Sequence, residues 1–212
     1  MRRKVKYLLV MILFFSSIFS QPIFADQIEL QAGNNLRGEV QNNTLQLKTN
    51  YAQLNIQSRY LTKIKNENGI FKFKAAANNK FSGQLMTEIS FSSGGANKKI
   101  AATEIASINF SKTDAFSNNK ELKLSLKNGD FFFANPVEKS ISLNTSLGSS
   151  VNLNYNNIKS IEYLAGEDLY LINRVKGSAI KSNLKNKKII VWPAAAEIIE
   201  IDFNQLQQIT FK

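Results

Sequence analysis

The chain has 212 residues, of which 27 are lysine or arginine and 16 are aspartate or glutamate, giving a net charge of +11. It contains no cysteine and no histidine. Those absences exclude disulfides, thiolate metal sites, a cysteine nucleophile and an acylated cysteine, and they remove the commonest zinc ligands and the commonest general base at neutral pH.

At the N-terminus, Arg2, Arg3, Lys4 and Lys6 precede an apolar run from Tyr7 to Phe15, and a small residue stands at Ala25. This is the layout of a secretory signal peptide, residues 1–25. The run falls short of the roughly 20 apolar residues a spanning helix needs. Cleavage after Ala25 would remove four basic residues and no acidic one, lowering the net charge to +7. The alternative is an uncleaved anchor, lengthened by Ile18, Phe19, Ile23 and Phe24. Export to a periplasmic or extracellular location is expected, and without disulfides the mature chain must be stabilised by burying apolar surface.

Beyond residue 25 the sequence repeats itself four times. Each unit opens on an alternating segment: "IELQ" at 28–31, "FKFK" at 71–74, "LKLSLK" at 122–127 and "LYLI" at 169–172. A turn follows, written "AGNN" at 32–35 and "KNGD" at 127–130 in the first and third units, the chemistry that lets a backbone adopt positive φ. A small residue is then expected in mid-strand, at Gly38, Gly83, Ala134 and Gly177, marking a bend or a close backbone approach. Each unit closes on an aliphatic pair three residues apart, Leu61/Ile64, Ile105/Ile108, Ile158/Ile161 and Leu206/Ile209. Five residues upstream of each pair stands Ile56, Ile100, Leu153 or Ile201, and seven upstream stands Leu54, Val151 or Ile199, with Lys98 in the second unit. Apolar residues at every second position have the period of half-buried strands. The best helical candidate, "AAAEII" at 194–199, follows Pro193 and runs into strict alternation at Ile199, Ile201 and Phe203, so a strand is expected there too.

The polar stretch "SKTDAFSNNK", 111–120, is the expected boundary between β domains at 26–112 and 119–212, each holding two units. The fold class expected is all-β: four divergent units of about 45 residues forming two small bent-sheet barrels or one continuous tandem-repeat β structure. Leu122 to Ile161, with its Asn128-Gly129-Asp130 turn and its final "NNIKSI" strand after a short turn, resembles a small bent five-stranded barrel of the Sm-like type. Ile28 to Ile64 is similar to units of uncharacterised exported bacterial proteins, and the resemblance spans the mature chain as four divergent copies. Sm-like RNA binders resemble one another in an Arg-Gly pair before the last strand. The corresponding positions here are Arg59-Tyr60, Thr103-Glu104, Asn156-Asn157 and Asn204-Gln205. The resemblance therefore implies a fold and no activity, and no nucleic acid partner is expected.

The residues offer no catalytic constellation. The carboxylates read as solvated strand and turn residues, with Glu167-Asp168 in a turn and Glu200 and Asp202 opposite Ile199, Ile201 and Phe203. No catalytic, cofactor-binding or metal-binding residues are expected, and the binding residues are unknown. "SSGGANKK" at 92–99 reads as a hairpin tip, and the densest basic run, "KSNLKNKK" at 181–188, as a solvated hairpin or loop, the alternative being a contact for nucleic acid, lipid headgroup phosphate or an acidic polymer. In "DFFFANP" alternation sends Phe132 to one face and Phe131 and Phe133 to the other, so one face needs covering by a neighbouring layer or is a partner-binding stripe. Trp192 is an edge anchor or core. The function expected is an exported non-enzymatic β-repeat protein of the bacterial envelope, binding a protein partner or an anionic polymer. The alternative is a small outer-membrane β-barrel, prompted by the signal segment, the alternating strands and the near-terminal Phe211, although the alternations fall short of the 9–11 residues such strands need.

Overall fold

A computed structural model describes residues 25–116, 120–144 and 149–212. The expected signal segment, apart from Ala25, lies outside the described residues. The fold is all-β. The first unit supplies β1 (Asp26–Leu30), β2 (Asn35–Val40), β3 (Thr44–Lys48), β4 (Gln53–Gln57) and β5 (Leu61–Glu67). The second supplies β6 (Ile70–Ala75), β7 (Lys80–Leu85), β8 (Ile89–Ser93), β9 (Ala96–Ile100) and β10 (Ile105–Asn109). The third supplies β11 (Leu122–Leu126), β12 (Phe131–Pro136), β13 (Ser140–Asn144), β14 (Ser150–Asn154) and β15 (Ile158–Leu164). The fourth supplies β16 (Leu169–Arg174), β17 (Ile180–Ser182), β18 (Lys188–Pro193), β19 (Ile199–Asp202) and β20 (Leu206–Phe211). In every unit one turn of 3-10 helix, Ser58–Tyr60, Ala102–Glu104, Tyr155–Asn157 or Phe203–Gln205, separates the fourth strand from the fifth.

The units exchange strands. β1 pairs with β2, but β2 pairs next with β8 of the second unit and not with β3 of its own. β6 pairs with β7, which pairs in turn with β3 of the first unit. The first ten strands thus lie in the order β9-β8-β2-β1-β10-β5-β6-β7-β3-β4, with β5 against β10 at the centre. The last ten repeat it as β19-β18-β12-β11-β20-β15-β16-β17-β13-β14, with β15 against β20 at the centre. There the step from β17 to β13 is a single bridge, Leu143 to Leu184. All of these ladders are antiparallel, and no sheet closes on itself among the described residues.

The terminal aliphatic pair now has a structural meaning. Ile64 stands directly opposite Ile108, and Ile161 opposite Ile209, so the second members of each pair meet across the two central ladders. Residues three apart in a flat strand point to opposite faces. Each fifth strand resolves this with a bulge: Thr62, Ala106, Lys159 and Gln207 are skipped in the pairing, and both aliphatics turn inward.

Two expectations are corrected. Gly177 is not a mid-strand bend; it lies in the connection between β16 and β17 at φ +88°, and Ser182 of β17, paired with Tyr170 as Gly83 is with Phe71, takes the mid-strand place. Val151 is 48% exposed although its counterparts Leu54 and Ile199 are buried; the inward residues of its hairpin are Ile141 and Leu143. Gly38 and Gly83 fit the expected close approach, since each sits where its strand crosses onto the partner unit's third strand.

Contact between the first ten strands and the last ten is concentrated in two places. Lys80 of β7 pairs with Phe131 of β12, and Ile56 of β4 bridges Ala196 before β19. Near the first, Asn79 Oδ1 accepts from the Phe133 backbone N–H at 2.7 Å. The fully buried Phe132 ring lies against Phe81, with centroids 5.2 Å apart, and Tyr51 at 6.3 Å. The covering that the Phe131–Phe133 alternation demands thus comes from the other pair of units.

Candidate functional site

The sequence-predicted groups are scattered by the fold. Lys181 is held by Glu167 at 2.6 Å and Lys188 by Glu200 at 3.0 Å, so two cations of the densest basic run are paired at the surface. Asp168 accepts from the Tyr163 hydroxyl at 3.0 Å in the turn where φ is positive, and Glu197 accepts from Asn55 at 2.8 Å. Gly94 and Gly95 form the expected hairpin tip between β8 and β9, both at positive φ. Trp192 is 54% exposed on β18.

The lysines that do assemble come from separate strands. On β5, β6 and β7, inward residues Ile64, Phe71, Phe73 and Phe81 alternate with outward lysines. The register then sets those lysines side by side: Lys63 opposite Lys74, Lys74 opposite Lys80, and Lys65 opposite Lys72. Directly opposed residues have Cβ atoms about 4.5–5.5 Å apart, and like charges placed so are destabilising. Within this ladder only Lys65 is ion-paired among the described residues, to Glu67 at 3.0 Å.

The row continues across the junction. Lys80, at the end of the ladder, is the partner of Phe131 on β12, and its ammonium lies 5.1 Å from the centre of that ring. Lys123 of β11 sits 5.2 Å from the same ring, so one aromatic holds a cation from each side of the junction. Along the same face Lys212 lies 4.9 Å from the Phe133 ring and Lys120 5.6 Å from Trp192. The rings keep these ammonium groups in place through their negative faces. Beside them the Glu121 backbone N–H donates to Asn135 Oδ1 at 3.2 Å. Sequence order hid the ladder because its members come from segments such as "FKFK", whose outward lysines gain significance only once the pairing is known.

Beneath the junction a polar cluster runs from a buried carboxylate out to the surface. The Asp130 carboxylate, 4% exposed, accepts from the Ser82 N–H at 2.8 Å, the Ser82 hydroxyl at 2.6 Å and Asn128 Nδ2 at 2.9 Å. Asn128 also donates to Asn50 Oδ1 at 3.1 Å, and Asn50 to Gln205 at 3.0 Å. The Tyr51 hydroxyl is buried beside the cluster and, among the described residues, makes no hydrogen bond of ordinary geometry. Burial, and then the Asp130 charge, push its pKa well above the ordinary phenol value. Burial and then the Glu138 charge raise Tyr155, packed on Phe211 at 5.0 Å, to about 12.

A phenol whose pKa is higher folded than unfolded keeps its proton where the unfolded chain releases it. The stability it supports is whole below pH 10 and declines as pH rises toward 12. Urea unfolding between pH 9 and pH 11 should therefore show a loss of about 1.4 kcal/mol from Tyr155 alone. Tyr155→Phe should lessen the decline, and an unchanged pH dependence in that variant would refute the assignment. No family model, curated protein or solved structure matches the chain.

Proposed function

We propose that this chain is an exported, non-enzymatic β-repeat protein of the bacterial envelope, periplasmic or extracellular, that binds an anionic polymer through its lysine face. The observation that carries this reading is the ladder Lys63–Lys74–Lys80, continued through Phe131 to Lys123. Like charges aligned across strands oppose folding and reward a multivalent anion, which neutralises several at once. A protein partner is the weaker fit, because the outward face of β5 to β7 is dominated by lysines, with Ile70 the exposed large apolar side chain on it.

The fold reading that goes with this proposal is an Sm-like unit in strand-exchanged, open form. Two bent five-strand groups in each half, β9-β8-β2-β1-β10 and β5-β6-β7-β3-β4 in the first, each take two strands from one unit and three from the other. The carboxylates support a non-catalytic role through the work they already do: Asp130 holds the junction, and Glu167 and Glu200 pair with lysines.

The purified protein should be retained on an immobilised polyanion and released by salt. Lys74→Glu with Lys80→Glu should weaken retention by at least about tenfold, or 1.4 kcal/mol. Retention unchanged in that variant, or turnover of a chromogenic ester or glycoside panel at enzyme-like rates, would refute the proposal. Release of the protein from cells by osmotic shock without detergent tests the location.

A further inference from the structure

Independently of the lysine face, we infer that β14 is a docking edge for a second copy of this chain: two β14 strands pair antiparallel about a twofold axis through Asn152. Four strands end the two strand orders, β9 and β4 in the first half and β19 and β14 in the second, and three of them are guarded. Ala195 and Ala196, both buried, lie along β4, with Ile56 bridged to Ala196 and the Gln57 N–H donating to the Ala195 carbonyl at 2.9 Å. β9 exposes Lys98 and Lys99, and β19 exposes Glu200 and Asp202, charges of the kind that keep sheet edges from pairing. β14 reads Ser150-Val151-Asn152-Leu153-Asn154, with no charge and no proline. Among the described residues no strand lies beyond it.

The side chains mark this edge as open. Val151 stands opposite Leu143 and Leu153 opposite Ile141, so both belong to the face on which Ile141 and Leu143 are buried. Yet Val151 is 48% exposed and Leu153 is only partly buried. Their counterparts Leu54 and Ile56, on the edge that Ala195 and Ala196 line, are fully buried. The backbone is aimed the same way. The Asn144 N–H donates to the Asn183 carbonyl and the Ser142 carbonyl accepts from Lys185, so both residues turn their groups away from β14. By the alternation of an antiparallel ladder, β13 then bonds to β14 through Leu153 and Val151, as Lys139 does to Tyr155. The N–H and C=O groups of Ser150 and Asn152 therefore point to the free side.

The order of residues in β14 suits its own copy as the occupant. Antiparallel pairing centred on Asn152 sets Asn152 against Asn152, Ser150 against Asn154, and Val151 against Leu153 of the second copy. Apolar residues then meet apolar ones on the core face, polar residues meet polar ones on the other, and no like charges are brought together. The same operation on β9 would set Lys98 against Lys98. Such an interface is isologous, so assembly closes at two molecules. A five-residue edge is small, which makes the association reversible.

Sedimentation velocity of the purified protein between about 1 μM and 1 mM should show a monomer–dimer equilibrium with no larger species. Asn152→Lys and Asn152→Asp each set like charges face to face across the axis, and each should weaken dimerisation at least about tenfold; mixing the two in equal amounts should restore it. The chain has no cysteine, so Asn152→Cys supplies a single thiol. Its oxidation should give a covalent dimer, because residues paired in this way have Cα atoms about 5.5 Å apart, within disulfide reach. Lys98→Glu on β9 should leave dimerisation unchanged. A monomer throughout the range would overturn the inference and leave β14 to a different chain. Association indifferent to Asn152, or no rescue in the mixture, would overturn the pairing at this edge, and growth beyond the dimer would overturn the closed twofold arrangement.

Discussion

Phe132→Ala should cost about 3–5 kcal/mol, the range for deleting a fully buried aromatic ring whose surroundings only partly collapse. The ring is inaccessible to solvent and lies between Phe81 and Tyr51, which belong to the other half of the chain. Its loss should therefore weaken cohesion between the halves as well as the fold of its own strand. Urea denaturation followed by tyrosine and tryptophan fluorescence should show an earlier midpoint for the variant, with the transition broadening as the halves uncouple. A loss below about 1 kcal/mol would mean that the two halves do not share this core. Phe133→Ala, on the outward face of the same strand, should cost much less and should act mainly on the placement of Lys212.

Gly83→Ala should be nearly as damaging, at about 3 kcal/mol, the upper end for inserting one methyl into packed structure. A Cβ there would lie 2.3 Å from the Lys48 carbonyl oxygen, an obstacle of backbone that no side-chain rotation removes. The substitution would push β7 away from β3, where Leu47 pairs with Leu85 and Lys48 with Gln84. Gly38→Ala should behave alike at the symmetric crossing of β2 onto β8, where the Cβ would lie 2.0 Å from the Ser92 carbonyl oxygen. Thermal unfolding should reveal both losses, and a stability within 0.5 kcal/mol of the parent would contradict the close approach. The third and fourth units supply the control. Ala134 and Ser182 occupy the equivalent places, and Ser182 turns its hydroxyl to the Asn144 carbonyl at 2.6 Å, so Ser182→Gly should gain nothing comparable.

These positions also mark how far the sequence could be read. The mid-strand glycines announced a close approach but not its partner. Nothing in the "LRGEV" stretch distinguishes contact with β3 of the same unit from contact with β8 of the next. The Phe131–Phe133 alternation announced a need for cover, and the other half supplies it through Tyr51 and Phe81. The lysine face was the least legible part. Its lysines are dispersed over β5, β6, β7 and β11, while the run that stood out in the sequence, 181–188, has two of its cations paired with Glu167 and Glu200.

The amino-acid order by itself determined the all-β character and the fourfold recurrence of its segments, because inward and outward alternation is a property of each strand alone and is written at a spacing of two residues; that both aliphatics closing each unit face inward was decided by a bulge in the pairing. Only the tertiary structure decided which strand lies beside which, where the lysines align and what covers Phe132. The physical reason is degeneracy. Four similar units present nearly the same edge pattern to one another, so a strand's own neighbour and its counterpart in the next unit satisfy the local rules equally, and the choice falls to packing between segments distant along the chain.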